Sequence, residues 1–424
     1  CSLIYQDGDL VPLLQSLAAT IVSGFTLMLL FKSKEKKELS THDGFAVVTM
    51  GWIAIAIFSA FPFYFSGTLD YTNSFFEAMS GLTTTGATVF GHSDTLMIED
   101  LPHGILFWRS FTQFIGGMGI IVFSIAILPM LGMGGVQLFR AEVAGPVADK
   151  ITPRVKQTAK LLWGIYVGFV LILCLILKIE GMSWFDAICH SFTTIATSGF
   201  STKNASIGAY SGAIQWTIII FMFLAATNFS LHYYFIAKGK FEYYKDHEFR
   251  VYFGLCIIFS ILFFINIIGT DKYQADLSSF RHSVFTAVSI LTTTGFSTEN
   301  FNEWPQMSKT LLFFLFFIGG SAGSTTGGMK IIRSILVIKY LAYEVRKLLH
   351  PKGIFNINIG KKSIDDNVVR ATLGFYLFYI FIFVFTAIIL SFTGLDIETA
   401  LTASAAAIGN IGPGLGTIGP YENW

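Results

Sequence analysis

Two stretches more than two hundred residues apart decide the fold: Phe76-Glu77-Ala78-Met79-Ser80-Gly81-Leu82-Thr83-Thr84-Thr85-Gly86 and Phe285-Thr286-Ala287-Val288-Ser289-Ile290-Leu291-Thr292-Thr293-Thr294-Gly295. They align without gaps and differ only at Glu77/Thr286, Met79/Val288 and Gly81/Ile290. A third copy runs from Phe192 through Thr197-Ser198-Gly199 to Thr202 and shares Gly-Phe-Ser-Thr with residues 295–298. A fourth, degenerate copy is Ala405-Ala406-Ala407-Ile408-Gly409-Asn410-Ile411-Gly412-Pro413-Gly414. Their glycines, Gly86, Gly199, Gly295 and Gly412, are spaced by 113, 96 and 117 residues, a period that marks an internally repeated chain.

The surroundings are those of a polytopic membrane protein. Of 424 residues, 53% are hydrophobic and only 13% charged, against about 25% in ordinary globular chains, and the mean hydropathy is +0.63. Runs of membrane-crossing length lie at about 10–31, 43–66, 104–132, 160–179, 210–237, 250–269, 309–340 and 367–393. The Thr/Gly-rich stretches between them are too short to span and read as re-entrant segments. Alternating the spans places segments 32–42, 136–160, 238–250 and 330–370 on one side, with 22 of the 28 Lys and Arg, which makes that side cytoplasmic. The other side keeps Arg109, Lys178, Lys203, Lys272, Arg281 and Lys309, and 16 of the 27 acids, among them Asp70, Asp94, Glu99, Asp100, Asp271 and Asp276. That acidic face either concentrates cations or is the plain complement of the positive-inside rule. On this topology Cys1 and Trp424 both lie outside, so a further helix is expected before one and after the other.

Each copy sits in the same place: inward-to-outward helix, short apolar helix, Thr/Ser-Gly loop, returning helix. The expected architecture is an all-α membrane protein with an N-terminal transmembrane region (1–42) and four tandem units, 43–150, 151–240, 241–350 and 351–424, related by fourfold pseudosymmetry about the membrane normal. Non-helical backbone at membrane depth survives only where protein buries it or where it lines a watery cavity. Four such loops on one axis offer rings of carbonyl oxygens that replace the water shell of a monovalent cation. Glycine suits carbonyls aimed at the axis, and the preceding Thr, Ser or Asn either ligates the ion or braces the loop. No carboxylate lies in the four residues before each glycine, which argues against a divalent-selecting ring. The competing reading is that small residues merely let membrane helices pack closely.

The run 309–340 is too long for one simple crossing and holds Gly319-Gly320-Ser321-Ala322-Gly323-Ser324-Thr325-Thr326-Gly327-Gly328, then Lys330 and Arg333. It should break the helix below the filter, either as a movable gate or as a simple kink. Other chemistries find little support. The four cysteines form no CxxC, the histidines no HxxxH, and no basic cluster fits nucleic acid. Ser198 and His190 are the only residues that resemble a nucleophile and base close in sequence. Coupling to Na⁺ or H⁺ calls for a buried ionisable residue near the pore, and Glu77 and Asp186 read as acids at the outer edges of short helices.

Across essentially the whole chain, the sequence resembles the TrkH/KtrB family of bacterial potassium uptake proteins, most closely its TrkH branch. The resemblance is carried by Thr83 to Thr88, Gly116-Gly117-Met118-Gly119-Ile120, Ala187 to Phe192, Thr292 to Thr298, Gly319 to Lys330 and Gly409 to Gly414. It implies potassium uptake across the bacterial inner membrane by a homodimer, each protomer with its own gated pore, and no intrinsic cofactor. It further implies a cytosolic TrkA-type partner that binds a nucleotide such as NAD(H) or ATP, whereas this chain has no Walker A motif. The implied filter is Thr84, Thr85 and Gly86; Thr197, Ser198 and Gly199; Thr293, Thr294 and Gly295; Asn410, Ile411 and Gly412. The implied gate runs through Gly319, Gly320, Ser321, Gly323, Ser324, Thr325, Thr326, Gly327 and Gly328, with Lys330 as a polar contact. Ile411 departs from the Thr/Ser pattern and would ligate through its backbone alone. Ion-coupled symport is the alternative mechanism.

Overall fold

A computed structural model describes residues 1–31, 41–91, 96–126, 155–270, 272–353, 355–360, 362–422 and 424. Most of the basic segments 32–42 and 136–160, together with Asp94 and Asp271, lie outside the described residues. Helices of spanning length occur at Leu10–Leu30, Ala46–Phe65, Ala159–Ile179, His247–Ile267 and Asp366–Ser391. They are apolar nearly all round, and their outward side chains, such as Leu171, Ile265, Leu377, Phe381 and Phe385, are exposed. That pattern suits a lipid solvent and no aqueous one. Along Leu10–Leu30 only Ser16 is buried, so this helix lies against the periphery of the described molecule. The only strands among the described residues are a two-residue antiparallel pair, Asn358–Ile359 with Lys362–Ser363.

Between the long helices lie four short ones, Tyr71–Leu82, Trp184–Ile195, Leu277–Leu291 and Ile397–Gly409. Their starts follow from the sequence: Ser183, Asp276 and Asp396 each accept a hydrogen bond from the amide three residues on, in Asp186, Ser279 and Thr399. These bonds, with the side-chain donations of Ser279 and Thr399, hold the Asp276 and Asp396 carboxyls below the usual range. The second, third and fourth short helices converge with their loops on one apolar core that includes Tyr166, Ile195, Phe229, Phe285, Ile290, Phe296, Phe316 and Ile411, while the first packs in a separate core with Ala78, Val89, Phe90, Ile105 and Phe185.

Two returning helices are broken. Chain 306–349 forms Gln306–Leu315 and Ile331–Leu349 with an irregular segment between, as the glycine run predicts. The run 210–237, read from sequence as one crossing, is in fact two helices, Gly212–Ala225 and Phe229–Lys238, bent by 96°. No glycine or proline marks this break. The Asn228 side chain accepts from the Ser230 amide and starts the second helix afresh, and the freed carbonyls of Ala225 and Ala226 receive donors from the 319–328 segment.

Candidate functional site

The four loops after the short helices share one backbone design. The residue two before each glycine, Thr84, Thr197, Thr293 and Asn410, has φ of 62°, 51°, 54° and 60°. Its amide donates to the carbonyl three residues earlier, in Gly81, Thr194, Ile290 and Ala407. The next amide, in Thr85, Ser198, Thr294 and Ile411, donates five residues back, to Ser80, Thr193, Ser289 and Ala406. The glycines follow with φ of 80°, 80°, 79° and 101°, in the left-handed region where a Cβ is strained. The degenerate fourth copy therefore makes the same turn as the other three.

The loops also meet in a closed circuit. A Cβ on Gly86 would strike the Ser198 carbonyl, one on Gly199 that of Thr294, and one on Gly295 that of Ile411. One on Gly412 would come within 2.8 Å of the Thr85 carbonyl, which returns the chain of contacts to the first loop. Each glycine thus makes room for the carbonyl of the next loop. A cavity on one side of this circuit is lined by Gly86, Gly199, Gly295, Ser201, Lys203 and Pro413.

The hydroxyls brace this ring sideways. Thr85 donates to Asn410 Oδ1 at 2.5 Å, and Asn410 Nδ2 donates to the Thr83 carbonyl at 2.9 Å and Thr84 Oγ1 at 3.2 Å, sewing the fourth loop to the first. Ser198 donates to Gln113 Oε1 at 2.7 Å, and Thr294 shares a hydrogen bond with Thr292. Beyond the glycines, Thr88 donates to Glu77, Ser201 pairs with His190, and Thr298 with His282. His190 and Ser198 therefore do not pair as a base and nucleophile: His190 holds Ser201 and the Asp186 carbonyl, and Ser198 holds Gln113 and the Thr193 carbonyl.

Glu77 is not at an outer edge. It is the seventh residue of its helix, fully buried, and its Oε1 receives Arg109 Nε at 2.6 Å. Arg109, also buried, donates onward to the Ser201 carbonyl at 2.8 Å and lies 3.7 Å over the Phe200 ring. The ion pair thus ties the first loop to the second. Gln113 and Arg109 are polar residues within an apolar run, which is the signal that identifies them. The hydrogen bond from the Trp424 indole to the Gly412 carbonyl, 3.0 Å, has no such signal.

On the opposite side from the cavity, the 319–328 segment rises against the loops. Gly319, Gly323 and Gly328 have positive φ, as does Lys330. The Gly327 amide donates to Thr293 Oγ1 at 2.7 Å, Thr197 donates to Thr325 Oγ1 at 3.1 Å, and a Cβ on Gly327 would strike the Gly409 carbonyl. Gly320 lies against Thr326, and Ser324 bridges the Ser321 carbonyl and Thr326 Oγ1 within the segment. Lys330 Nζ turns back onto the carbonyl and hydroxyl of Thr326. The helix break at 226–228 grips the segment: Ser321 donates to the Ala226 carbonyl, and Phe229 to that of Gly323.

Apolar helices of membrane-crossing length around a closed circuit of glycine loops define an integral membrane protein. Residues 14–420 match the family model TrkH, described as cation transport protein. The Trk system potassium uptake protein TrkH of Vibrio parahaemolyticus is 41% identical over 98% of this chain and 86% of its own length. That of Escherichia coli K12 is 39% identical with the same coverage, and the Trk system potassium uptake protein TrkG of that strain is 36% identical over 89% and 78%. The crystal structure of the potassium transporter TrkH from Vibrio parahaemolyticus superposes with a TM-score of 0.88 at 38% identity, covering 98% of this chain and 86% of that one. The chain belongs to the TrkH family of cation transport proteins.

Proposed function

We propose that the protein takes up potassium across the bacterial cytoplasmic membrane through a selective, gated pore. The observation that carries this reading is the closed circuit of four loops with one backbone turn and four left-handed glycines. The filter is Thr84, Thr85 and Gly86 with their counterparts Thr197, Ser198 and Gly199; Thr293, Thr294 and Gly295; and Asn410, Ile411 and Gly412. Its ligands are backbone carbonyls, since the side chains at the position before each glycine brace the loops and Ile411 is buried in the core. Potassium is the substrate and no intrinsic cofactor is required. The inside-negative potential drives entry, at about 2.3 kcal/mol per charge for each 100 mV.

The gate is the Gly319–Gly328 segment with Lys330, which lies directly beneath Thr197, Thr293 and Asn410. We assign its control to a cytosolic TrkA-type subunit carrying a nucleotide, NAD(H) or ATP, and the assembly to a homodimer with a pore per protomer. The four units 43–150, 151–240, 241–350 and 351–424 each contribute one loop. The test is the reversal potential of the protein in a planar bilayer with K⁺ on one side and Na⁺ on the other. A potential close to the potassium limit is expected; a potential near zero would remove the filter assignment.

A further inference from the structure

We propose that Glu248 is the positioning residue that holds the Gly319–Gly328 segment beneath the filter; this rests on reading that segment as the gate. Glu248 is the second residue of helix His247–Ile267 and is 3% exposed. It is far in sequence from the segment. Yet its Oε1 accepts from the Ala322 amide at 2.8 Å and from the Ile332 amide at 3.1 Å. These two donors flank residues 323–331, so a single carboxylate oxygen fastens both sides of the excursion.

The arrangement answers a local need. Ile331–Leu349 opens inside the protein, and its preceding residue, Lys330, has φ of 67° and gives no side-chain cap. The first amides of a helix have no partner within the helix, and one buried without an acceptor is costly. Glu248 supplies the acceptor from another helix. At the neck, Met329 donates to the Phe317 carbonyl and Ile331 to that of Gly320, which brings the two flanks close enough for one carboxylate to reach both. Any withdrawal of the segment that separates Ala322 from Ile332 breaks at least one of these buried hydrogen bonds, so Glu248 biases the pore toward its closed form.

The test compares basal rubidium flux into proteoliposomes, without any added partner subunit, for the full chain and for Glu248→Met, Glu248→Ala and Glu248→Gln. A variant with residues 323–326 deleted serves as the reference for an open gate. Met and Ala remove the acceptor, and Met keeps much of the volume; flux should rise on the order of tenfold, as expected for losing one such bond from the closed state. Gln retains an acceptor oxygen and should restore nearly the parental flux. Competition by K⁺ over Na⁺ should be unchanged in all three, which a general loosening of the protein would not preserve. If the deletion raises flux and Glu248→Met does not, the inference about Glu248 fails and the gate stands. If the deletion itself leaves flux unchanged, the gate reading fails and this inference with it. Failure of both acceptor-less variants to give monodisperse protein would place Glu248 in folding and overturn its positioning role.

Discussion

At Gly86 a side chain must fit where the Ser198 carbonyl already stands, and must do so at φ of 80°. Gly86→Ser is therefore expected to spread one side of the ring and weaken discrimination between K⁺ and Na⁺ while leaving the rest of the fold intact. Sodium competition in an uptake assay, alongside the melting temperature, checks both halves. Unchanged selectivity would count against the filter. Asn410 combines two properties that substitutions separate. Asn410→Gly keeps the left-handed turn and loses the amide's bonds to the first loop, whereas Asn410→Ala also incurs about 1–2 kcal/mol of backbone strain. Both should lose selectivity, and Ala should melt lower than Gly. Equal melting temperatures would mean that the seam to Thr83, Thr84 and Thr85, and not the turn, dominates at this position.

Among the elements, three of the four short helices are fixed from both ends, by a side-chain cap at the start and by a left-handed residue just past the finish. The helix Tyr71–Leu82 has no side-chain cap at its start and is anchored instead by the buried Glu77–Arg109 pair. Glu77→Gln leaves a guanidinium buried without its counter-charge, which typically costs about 3–5 kcal/mol. A lowered melting temperature is expected, and Glu77→Gln combined with Arg109→Met should recover part of it; a double variant no better than the single would show that the pair is not coupled. The repeats, their glycines and the broken third returning helix were legible in sequence because each leaves a compositional mark. The bend at 226–228 was not, since Ala, Thr and Asn carry no strong breaker signal and the bend depends on a docking partner 95 residues further on. Glu77 was misplaced for a related reason: an acid near a short helix reads as a helix-end charge, and only tertiary contact reveals Arg109. Glu248 lies in a mixed-charge segment beside Glu242, Asp246 and four basic residues, where one more carboxylate draws no notice.

For the molecule as a whole, the positive-inside rule predicts that the cavity faces outward and the 319–328 segment the cytoplasm. Cysteine labelling tests that orientation in a background where Cys1, Cys174, Cys189 and Cys256 are replaced by Ser. Lys203→Cys, at the cavity, should react with an impermeant reagent in intact cells, and Lys347→Cys only after permeabilisation; the reverse pattern would invert the topology. The proposed function rests on the ring of four loops selecting potassium. The most direct measurement is rubidium uptake into proteoliposomes carrying the protein, in competition with K⁺, Na⁺ and Li⁺. Uptake suppressed by K⁺ and indifferent to equal Na⁺ and Li⁺ is the predicted result, whereas equal suppression by Na⁺, or uptake only under a pH gradient, would contradict it.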